Sequence, residues 1–163
     1  MGEQKRIIVS ISDMKASGDP EALLVTHSLG SCIGLVGHDP IVGAGAMLHF
    51  QLPDSTNHVK RAAENPYMFA DTGIPLFLRH LYALGGNRNR IAVSMFGGAN
   101  MLDDEELFKI GTKNARATKK ILWQHSISVS HEDVGGKSSR TVSLEIGSGL
   151  IALRRDGKMY TLK

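Results

Sequence analysis

Short runs of apolar residues recur along the whole chain, and in many of them apolar and polar residues alternate. Alternation with a period of two is typical of β-strands that bury one face, and Gly, Asp, Asn or Pro beside a run favours a turn. The pattern therefore predicts nine short strands, with the sequences RIIVSI, ALLVTH, CIGLVG, AGAMLHF, RIAVSMF, SISVSHE, RTVSLEI, GLIALRR and KMYTL.

Two longer segments have their apolar residues at helical spacing instead. Within residues 70–84 these residues fall on one face of a helix, and Gly85 and Gly86 then favour the end of that helix. The members of this stripe are Ile74, Phe77, Leu78, Leu81 and Tyr82.

The second helical stripe lies within residues 104–123, where Asp103 and Glu106 have the spacing of a capping pair at its start. Its members are Leu107, Ile110, Ala115, Ile121 and Leu122. Two helices that cover a mostly antiparallel sheet predict an α+β layered domain.

Composition narrows the class of protein. The chain has 163 residues, of which 42% are apolar, so a single domain spanning residues 1–163 is expected. It contains no apolar run near the roughly 20 residues of a membrane helix, and MGEQKRIIVSISD lacks the apolar core of a secretory signal. A cytoplasmic protein without membrane insertion is therefore expected. Aromatic residues make up only 6%, and the basic residues form no stripe, so nucleic-acid binding is not expected.

Cys32 is the only cysteine, so the chain cannot form an internal disulfide. It follows the residues SLGS, which predict a sharp turn between two strands. Gly30 has no Cβ, so the backbone of such a turn can approach a ligand and direct its N–H groups at a developing negative charge. The segment has the outline of a nucleophile beside an oxyanion hole.

A catalytic thiol needs a partner for its proton, because a thiol near its ordinary pKa of ~8.5 is mostly protonated at neutral pH. Among the seven histidines, His49 has the best local case. The connection GHDPIVG predicts an antiparallel hairpin in which Cys32 lies opposite His49. We expect this histidine to stabilise the thiolate and lower the pKa of Cys32.

Thr26, on the preceding strand, is the candidate for orienting the ring of His49, since no Asp or Asn lies nearby in sequence. His27 is a rival base, but neighbouring residues of a strand point to opposite faces, so His27 is expected to point away from the site. The structural alternative is that Cys32 is a buried filler and His49 a hydrogen-bonded strand end.

Two further segments suggest ligands on first inspection. FGGAN lacks the lysine and the spacing of a P-loop, so a tight turn near the site is the better interpretation. His125 and His131 with Glu132 and Asp133 are interpreted as solvated strand ends rather than a metal site. Neither a metal nor an organic cofactor is expected.

Five motifs follow one another along the chain: TxxLGSC, HF.LP, FGGANM, IGTKNA and EDVGGKSSR. In this order they resemble the motifs of the CheD family, the chemoreceptor glutamine deamidases of bacterial and archaeal chemotaxis. The residues that carry the resemblance are Thr26, Gly30, Ser31, Cys32, His49, Gly97, Gly98, Gly135, Gly136 and Arg140.

The resemblance implies an α/β sandwich with a sheet-rich core, related at its active site to deamidating toxins of the cytotoxic necrotizing factor type. It implies a hydrolase that converts receptor glutamine to glutamate and releases ammonia through a thioester. Cys32 would be the nucleophile, His49 the base and Thr26 the orienting residue. The second oxyanion donor is not identified.

The implied partners are the cytoplasmic helices of methyl-accepting chemoreceptors and a CheC-type phosphatase. The alternative function is a non-catalytic docking module that regulates that phosphatase. For an acidic receptor helix, Arg88, Arg90 and Arg140 are candidates for a basic rim around the site.

Overall fold

The computed structural model describes residues 3–100 and 109–163. Within these residues the chain forms ten strands, three α-helices and one 3-10 turn. The strands are β1 (Lys5–Ile8), β2 (Asp13–Ser17), β3 (Ala22–Leu29), β4 (Ile33–Asp39), β5 (Ala44–Phe50), β6 (Ala92–Gly97), β7 (Val129–Val134), β8 (Arg140–Glu145), β9 (Ile151–Arg155) and β10 (Lys158–Leu162). The helices are α1 (Val59–Glu64), α2 (Ala70–Ala83) and α3 (Ile110–Gln124), and the 3-10 turn is Pro66–Met68.

The strands form two sheets of five strands each. The first sheet has the order β1-β3-β8-β9-β10 and the second has the order β2-β5-β4-β6-β7. Neighbouring strands are antiparallel except for the parallel pairs β1–β3 and β6–β7. This confirms an α+β fold with a mostly antiparallel, sheet-rich core, although the strands form two sheets rather than the one that the pattern predicted.

The central strand β4 is buried on both faces, and its residues alternate between two apolar layers. Ile33 and Leu35 pack with Phe77 of α2 in the layer between the second sheet and the helices. Val36 packs with residues of the first sheet in the layer between the two sheets. A side chain near the start of β4 therefore lies in one layer or the other according to its parity.

All nine predicted strands are present, with small shifts at their ends. The prediction missed β2, whose sequence DMKAS buries only Met14, and α1, which buries no residue at all. Both elements are short and lack the repeated apolar positions that reveal longer ones.

The first predicted helix is confirmed as α2, whose apolar stripe is buried except for Tyr82, which is 39% exposed. The second is confirmed only from Ile110 onward, since Asp103, Glu106 and Leu107 lie outside the described residues. Its buried face also differs from the prediction, because it is mostly small and polar: Gly111, Asn114, Thr118 and Leu122. None of the helices in the described ranges is long and apolar enough to span a membrane.

Candidate active site

The turn formed by residues 28–32, called here the Cys32 turn, carries the chain from β3 in the first sheet to β4 in the second. Ser28 has a φ of 56°, in the left-handed region, and its carbonyl accepts a 3.0 Å hydrogen bond from the N–H of Gly30. Cys32 lies directly before β4 and is half-buried. Its side chain packs against the cluster between the two sheets, whereas its neighbour Ile33 packs toward the helices.

The segment FGGAN holds the Cys32 turn in place. The N–H of Gly98 donates to the carbonyl of Cys32 at 2.8 Å, and the N–H of Ala99 donates to the carbonyl of Gly30 at 2.9 Å. A Cβ on Gly97, which has a φ of 109°, would lie 2.2 Å from the carbonyl oxygen of Cys32, so only glycine fits there. FGGAN therefore lies beside the Cys32 turn, as expected, but it is the end of β6 and an irregular continuation rather than the predicted tight turn.

The hairpin prediction placed His49 directly opposite Cys32, and this register is wrong. The β4–β5 ladder begins with Ile33 opposite Phe50 and places Gly34 opposite His49. Cys32 directly precedes this ladder, and its side chain packs in the same layer between the sheets that the ring of His49 enters to reach Thr26. The two residues are therefore brought together on the face that lies between the sheets.

The ring of His49 crosses to the first sheet, where its Nδ1 lies 2.8 Å from Oγ1 of Thr26. The same hydroxyl donates a 2.7 Å hydrogen bond to the carbonyl of Val9. A hydroxyl has only one proton to donate, so Oγ1 of Thr26 must accept from the N–H at Nδ1 of His49. This assigns the tautomer: Nε2 of His49 carries the lone pair.

That lone pair has no hydrogen-bond partner among the residues that the structure describes, and the side chain of His49 is only 3% exposed. Burial lowers the pKa of His49 to about 4, against an opposing contribution from the carboxylate of Asp13. At neutral pH the imidazole is therefore neutral, with a free acceptor at Nε2.

Burial raises the pKa of the Cys32 thiol, although its own backbone N–H acts in the opposite direction. The expectation that His49 lowers this pKa is therefore wrong. Cys32 is half-buried and His49 is buried, and burial disfavours the charged form of each side chain. The pair rests as a neutral thiol and a neutral imidazole, so this arrangement suits removal of the thiol proton during attack rather than a preformed ion pair.

Sequence reasoning missed two contributors because each depends on tertiary structure. Asp13 lies directly opposite His49 in the β2–β5 pair, and β2 was not predicted. The carbonyl of Val9 carries no side-chain signal, and it reaches Thr26 across 17 positions of the chain.

Arg140 is not part of a basic rim, because it is only 5% exposed and all its contacts are internal. Its Nε lies 2.6 Å from the carboxylate of Asp133, and its guanidinium also donates to the carbonyls of Gly97 and Gly135. These contacts tie the segment EDVGGKSSR to the glycines that hold the Cys32 turn. Arg140 thus supports the site from within.

The other two arginines of the expected rim are remote from the thiol. Arg90 forms a 3.0 Å ion pair with the buried Asp39, at the end of β4 opposite to Cys32, and Arg88 lies in the same turn. Burial opposes ionisation of Asp39, but hydrogen bonds from Arg90 and nearby backbone N–H groups lower its pKa to about 2. The expectation of a basic rim built from Arg88, Arg90 and Arg140 is wrong.

The remaining candidate ligands also have ordinary surroundings. His27 is exposed, which confirms that it points away from the site. Glu132 pairs with Lys119, and Asp133 pairs with Arg140 and Arg155. No group of three or more His, Cys, Asp or Glu residues in the described ranges has the arrangement of a metal site.

The fold and the site together define an α+β sandwich protein with a thiol, an imidazole and a hydroxyl gathered where its two sheets meet. The family model described as CheD chemotactic sensory transduction matches residues 51–155. The chain belongs to the CheD family.

Curated relatives extend the similarity to nearly the whole chain. A protein from Solibacter usitatus, described as a probable chemoreceptor glutamine deamidase CheD, is 48% identical over 158 residues, or 97% of this chain and 94% of its own length. Proteins with the same description from Desulforamulus reducens and Pyrococcus horikoshii are 40% and 35% identical, covering 93% and 95% of this chain and 91% and 96% of their own lengths.

Proposed function

We propose that this protein is a chemoreceptor glutamine deamidase that uses Cys32 as its nucleophile, His49 as its base and Thr26 as the residue that orients the base. The descriptions of its relatives support the reaction and the substrate class. The observation that carries the residue roles is the chain of hydrogen bonds from His49 through Thr26 to the carbonyl of Val9, which leaves Nε2 of His49 as a free acceptor.

In the first half of the reaction, Nε2 of His49 takes the thiol proton as the sulfur of Cys32 attacks the side-chain carbonyl carbon of the glutamine. The tetrahedral intermediate carries a negative oxygen. The protonated His49 gives its proton to the departing nitrogen, the carbon–nitrogen bond breaks, and ammonia leaves. The product is a thioester between Cys32 and the receptor side chain.

In the second half, a water molecule gives a proton to His49 and attacks the thioester carbonyl. Collapse of this intermediate breaks the carbon–sulfur bond, and the sulfur of Cys32 recovers the proton. The receptor side chain leaves as glutamate. Thr26 accepts the hydrogen bond from Nδ1 throughout, so the imidazolium that forms twice in each cycle keeps one orientation.

The oxyanion donors belong to the Cys32 turn. Burial raises the pKa of the Cys32 thiol, and the backbone N–H of the same residue opposes that effect. No other described residue accepts a hydrogen bond from the N–H of Ser31 or of Cys32. We assign both N–H groups to the oxyanion, where loss of one donor typically costs about a hundredfold or more in turnover.

The proposed substrate is the cytoplasmic helical region of a methyl-accepting chemoreceptor, so the protein would act in the cytoplasm. One experiment tests the reaction and the nucleophile together. A purified chemoreceptor cytoplasmic fragment is incubated with the protein in water labelled with heavy oxygen, and its peptides are analysed by mass spectrometry. Hydrolysis places one labelled oxygen in each new glutamate, so the label reports the reaction, and a variant of Cys32 tests the nucleophile.

We expect labelled glutamate with the wild-type protein and none above background with Cys32→Ser, provided that circular dichroism shows the variant to be folded. Equal deamidation by both proteins would contradict the assignment of Cys32. The same pair of proteins tests the alternative of a docking module for a CheC-type phosphatase, which requires that Cys32→Ser retain the full effect of the wild-type protein on receptor signalling.

A further inference from the structure

The motif IGTKNA has no part in the mechanism above, yet one of its residues reaches the Cys32 turn. Asn114 lies on the inward face of α3, and its side chain is 0% exposed. Its Nδ2 donates one hydrogen bond to the carbonyl of Ser31 and another to the carbonyl of Gln51, both at 2.8 Å. A single amide group therefore joins two segments that lie 20 positions apart in the chain.

These two segments carry the proposed nucleophile and base. Ser31 directly precedes Cys32, and Gln51 lies two residues after His49. The β4–β5 ladder ends at the pair Ile33 and Phe50. Beyond that pair the N–H of Gln51 turns away to the carbonyl of Met68, at 2.9 Å. The bridge through Asn114 thus connects the two segments where the ladder no longer does.

The helix that carries Asn114 is itself seated on the segment that holds the Cys32 turn. A Cβ on Gly111 would lie 2.3 Å from the carbonyl oxygen of Ala99 and 2.4 Å from that of Gly98, so the backbone of α3 lies against this segment. Gly98 and Ala99 in turn donate to carbonyls of the Cys32 turn. The position of the Asn114 amide relative to β4 and β5 is therefore fixed by the packing of α3 on this segment.

A role in packing alone does not account for this residue. Oδ1 of Asn114 is buried and has no hydrogen-bond partner among the described residues. An unsatisfied buried acceptor costs free energy that an apolar side chain of the same shape, such as leucine, would not cost. The two hydrogen bonds from Nδ2 are what asparagine supplies and leucine does not.

We propose that Asn114 is a positioning residue, which sets the separation of Cys32 and His49 by bridging the carbonyls of Ser31 and Gln51. The proposal rests on the deamidase mechanism described above for its kinetic consequence. Its structural consequence, a looser Cys32 turn when the bridge is lost, is independent of that mechanism.

The test compares Asn114→Leu with a matched control, Thr118→Val. Thr118 lies one turn further along the same buried face, is also 0% exposed, and donates only to the carbonyl of Asn114 within the helix. Both changes remove a buried polar group and conserve shape. On a chemoreceptor cytoplasmic fragment, we expect Asn114→Leu to lower kcat about tenfold or more with KM within about twofold. Thr118→Val should leave kcat within about twofold.

A second measurement needs no receptor. Burial raises the pKa of the Cys32 thiol, so a turn released by loss of the bridge admits water and lowers that pKa toward its ordinary value. Alkylation by iodoacetamide at about pH 8 should therefore become faster in Asn114→Leu while turnover becomes slower. Thr118→Val should change neither rate. An Asn114→Ala variant provides the same readout if the leucine variant does not fold.

A double-mutant cycle completes the test. If Asn114 acts through the pair, adding Asn114→Leu to His49→Gln should lower kcat by less than about threefold further. Unchanged turnover in Asn114→Leu, an equal loss in Thr118→Val, or an unchanged alkylation rate would each overturn the proposal. If the wild-type protein deamidates no receptor, the proposed function fails, while the alkylation comparison still decides whether Asn114 holds the Cys32 turn.

Discussion

Two buried histidines connect the sheets of this protein, one at each end of the β4–β5 hairpin. His49 lies beside the start of β4 and is 3% exposed, and His38 lies near the end of β4 and is 8% exposed. Each ring extends from the second sheet and forms a 2.8 Å hydrogen bond, His49 with Thr26 of the first sheet and His38 with the carbonyl of Ile146 directly after β8. Their burial and their positions in the fold are therefore closely similar.

The difference lies in the partner. Nε2 of His38 contacts the carbonyl of Ile146, which can only accept, so this nitrogen carries the proton. Nδ1 of His49 contacts the hydroxyl of Thr26, whose own proton goes to Val9, so the proton of the ring is on Nδ1 and the lone pair is on Nε2. A carbonyl partner engages Nε2 of His38, and a hydroxyl partner leaves Nε2 of His49 available.

The two rings also differ in what lies beside the nitrogen that is not bonded to the first partner. A Cβ on Gly149 would lie 2.7 Å from Nδ1 of His38, so backbone closely approaches the second nitrogen of that ring. The ring of His49 instead enters the layer that also contains the thiol of Cys32. The comparison teaches that burial alone does not make a histidine a base. What matters is which nitrogen the partner occupies and what lies beside the other one.

The largest expected effect separates the two histidines directly. His49→Gln should lower kcat on a chemoreceptor fragment by about a thousandfold, because it removes the proton acceptor, and general base catalysis is typically worth 10²–10⁴-fold. His38→Gln should lower the melting temperature but keep kcat of the folded protein within about twofold. Initial rates and thermal melts of both variants test this, and equal losses of kcat would refute the distinction.

The acid side of the stability profile sharpens the comparison. The pKa of His49 is lowered from 6.5 unfolded to about 4 folded, so the unfolded state binds the proton first as pH falls. The stability that depends on a neutral His49 is fully present above pH 6.5 and is lost as pH falls from 6.5 through about 4. By linkage the loss is about 3 kcal/mol, or roughly a hundredfold in the folding equilibrium.

Urea unfolding at pH values across this range should show the loss in the wild-type protein and a much smaller loss in His49→Gln. The opposite end of the hairpin responds at lower pH. The pKa of Asp39 is about 2 in the folded state against an ordinary 3.8, so its contribution is present above 3.8 and is lost as pH falls through about 2. A profile of His49→Gln that matches the wild type between pH 6.5 and 4 would contradict the assigned burial.

The orienting hydroxyl should have an intermediate effect. Thr26→Val conserves shape but removes both hydrogen bonds, so the ring of His49 loses its partner at Nδ1. We expect kcat to fall about tenfold to a hundredfold with little change in KM, and Thr26→Ser to recover most of it. Steady-state kinetics on a receptor fragment decides the matter; a valine variant with wild-type turnover would remove Thr26 from the mechanism.

The smallest expected effect concerns two glycines of β4 that face different layers. A Cβ on Gly34, opposite His49, would lie 2.8 Å from Leu29 Cδ1 and 3.5 Å from Thr26 Cγ2. A Cβ on Gly37 would lie 2.7 Å from Leu81 and 2.8 Å from Phe77, on the helix side. Both alanine variants should lose about 1–3 kcal/mol of stability through overpacking.

Only Gly34→Ala should also lower kcat, by a few-fold, because it crowds the layer that contains His49 and Thr26. Chemical unfolding and initial rates, measured on the same preparations, separate the two effects. A loss of kcat in Gly37→Ala as large as that in Gly34→Ala would show that turnover follows stability alone.

Much of this arrangement was predictable from local patterns. Alternation revealed nine strands, and the single cysteine after SLGS, the strand-end histidine and the threonine before the turn indicated the candidate site. The prediction failed wherever the answer depended on how the sheets pack. The register that places Gly34 opposite His49, the inward direction of Arg140 and the bridge through Asn114 join segments far apart in sequence.

The pKa of the thiol was mispredicted for the same reason. A charged imidazole strongly stabilises the thiolate of a neighbouring cysteine, and the burial that holds His49 neutral cannot be inferred from its neighbours in sequence.

The central claim is that the two histidines are opposite tautomers, and nitrogen NMR of their imidazole rings at neutral pH tests it most directly. In isotope-labelled protein, the resonances are assigned by comparison with His49→Gln and His38→Gln. The account predicts that Nε2 of His49 is an unprotonated nitrogen, whereas Nε2 of His38 carries a proton. A proton on Nε2 of His49 in the resting protein would leave no acceptor for the thiol proton and would contradict the proposed mechanism.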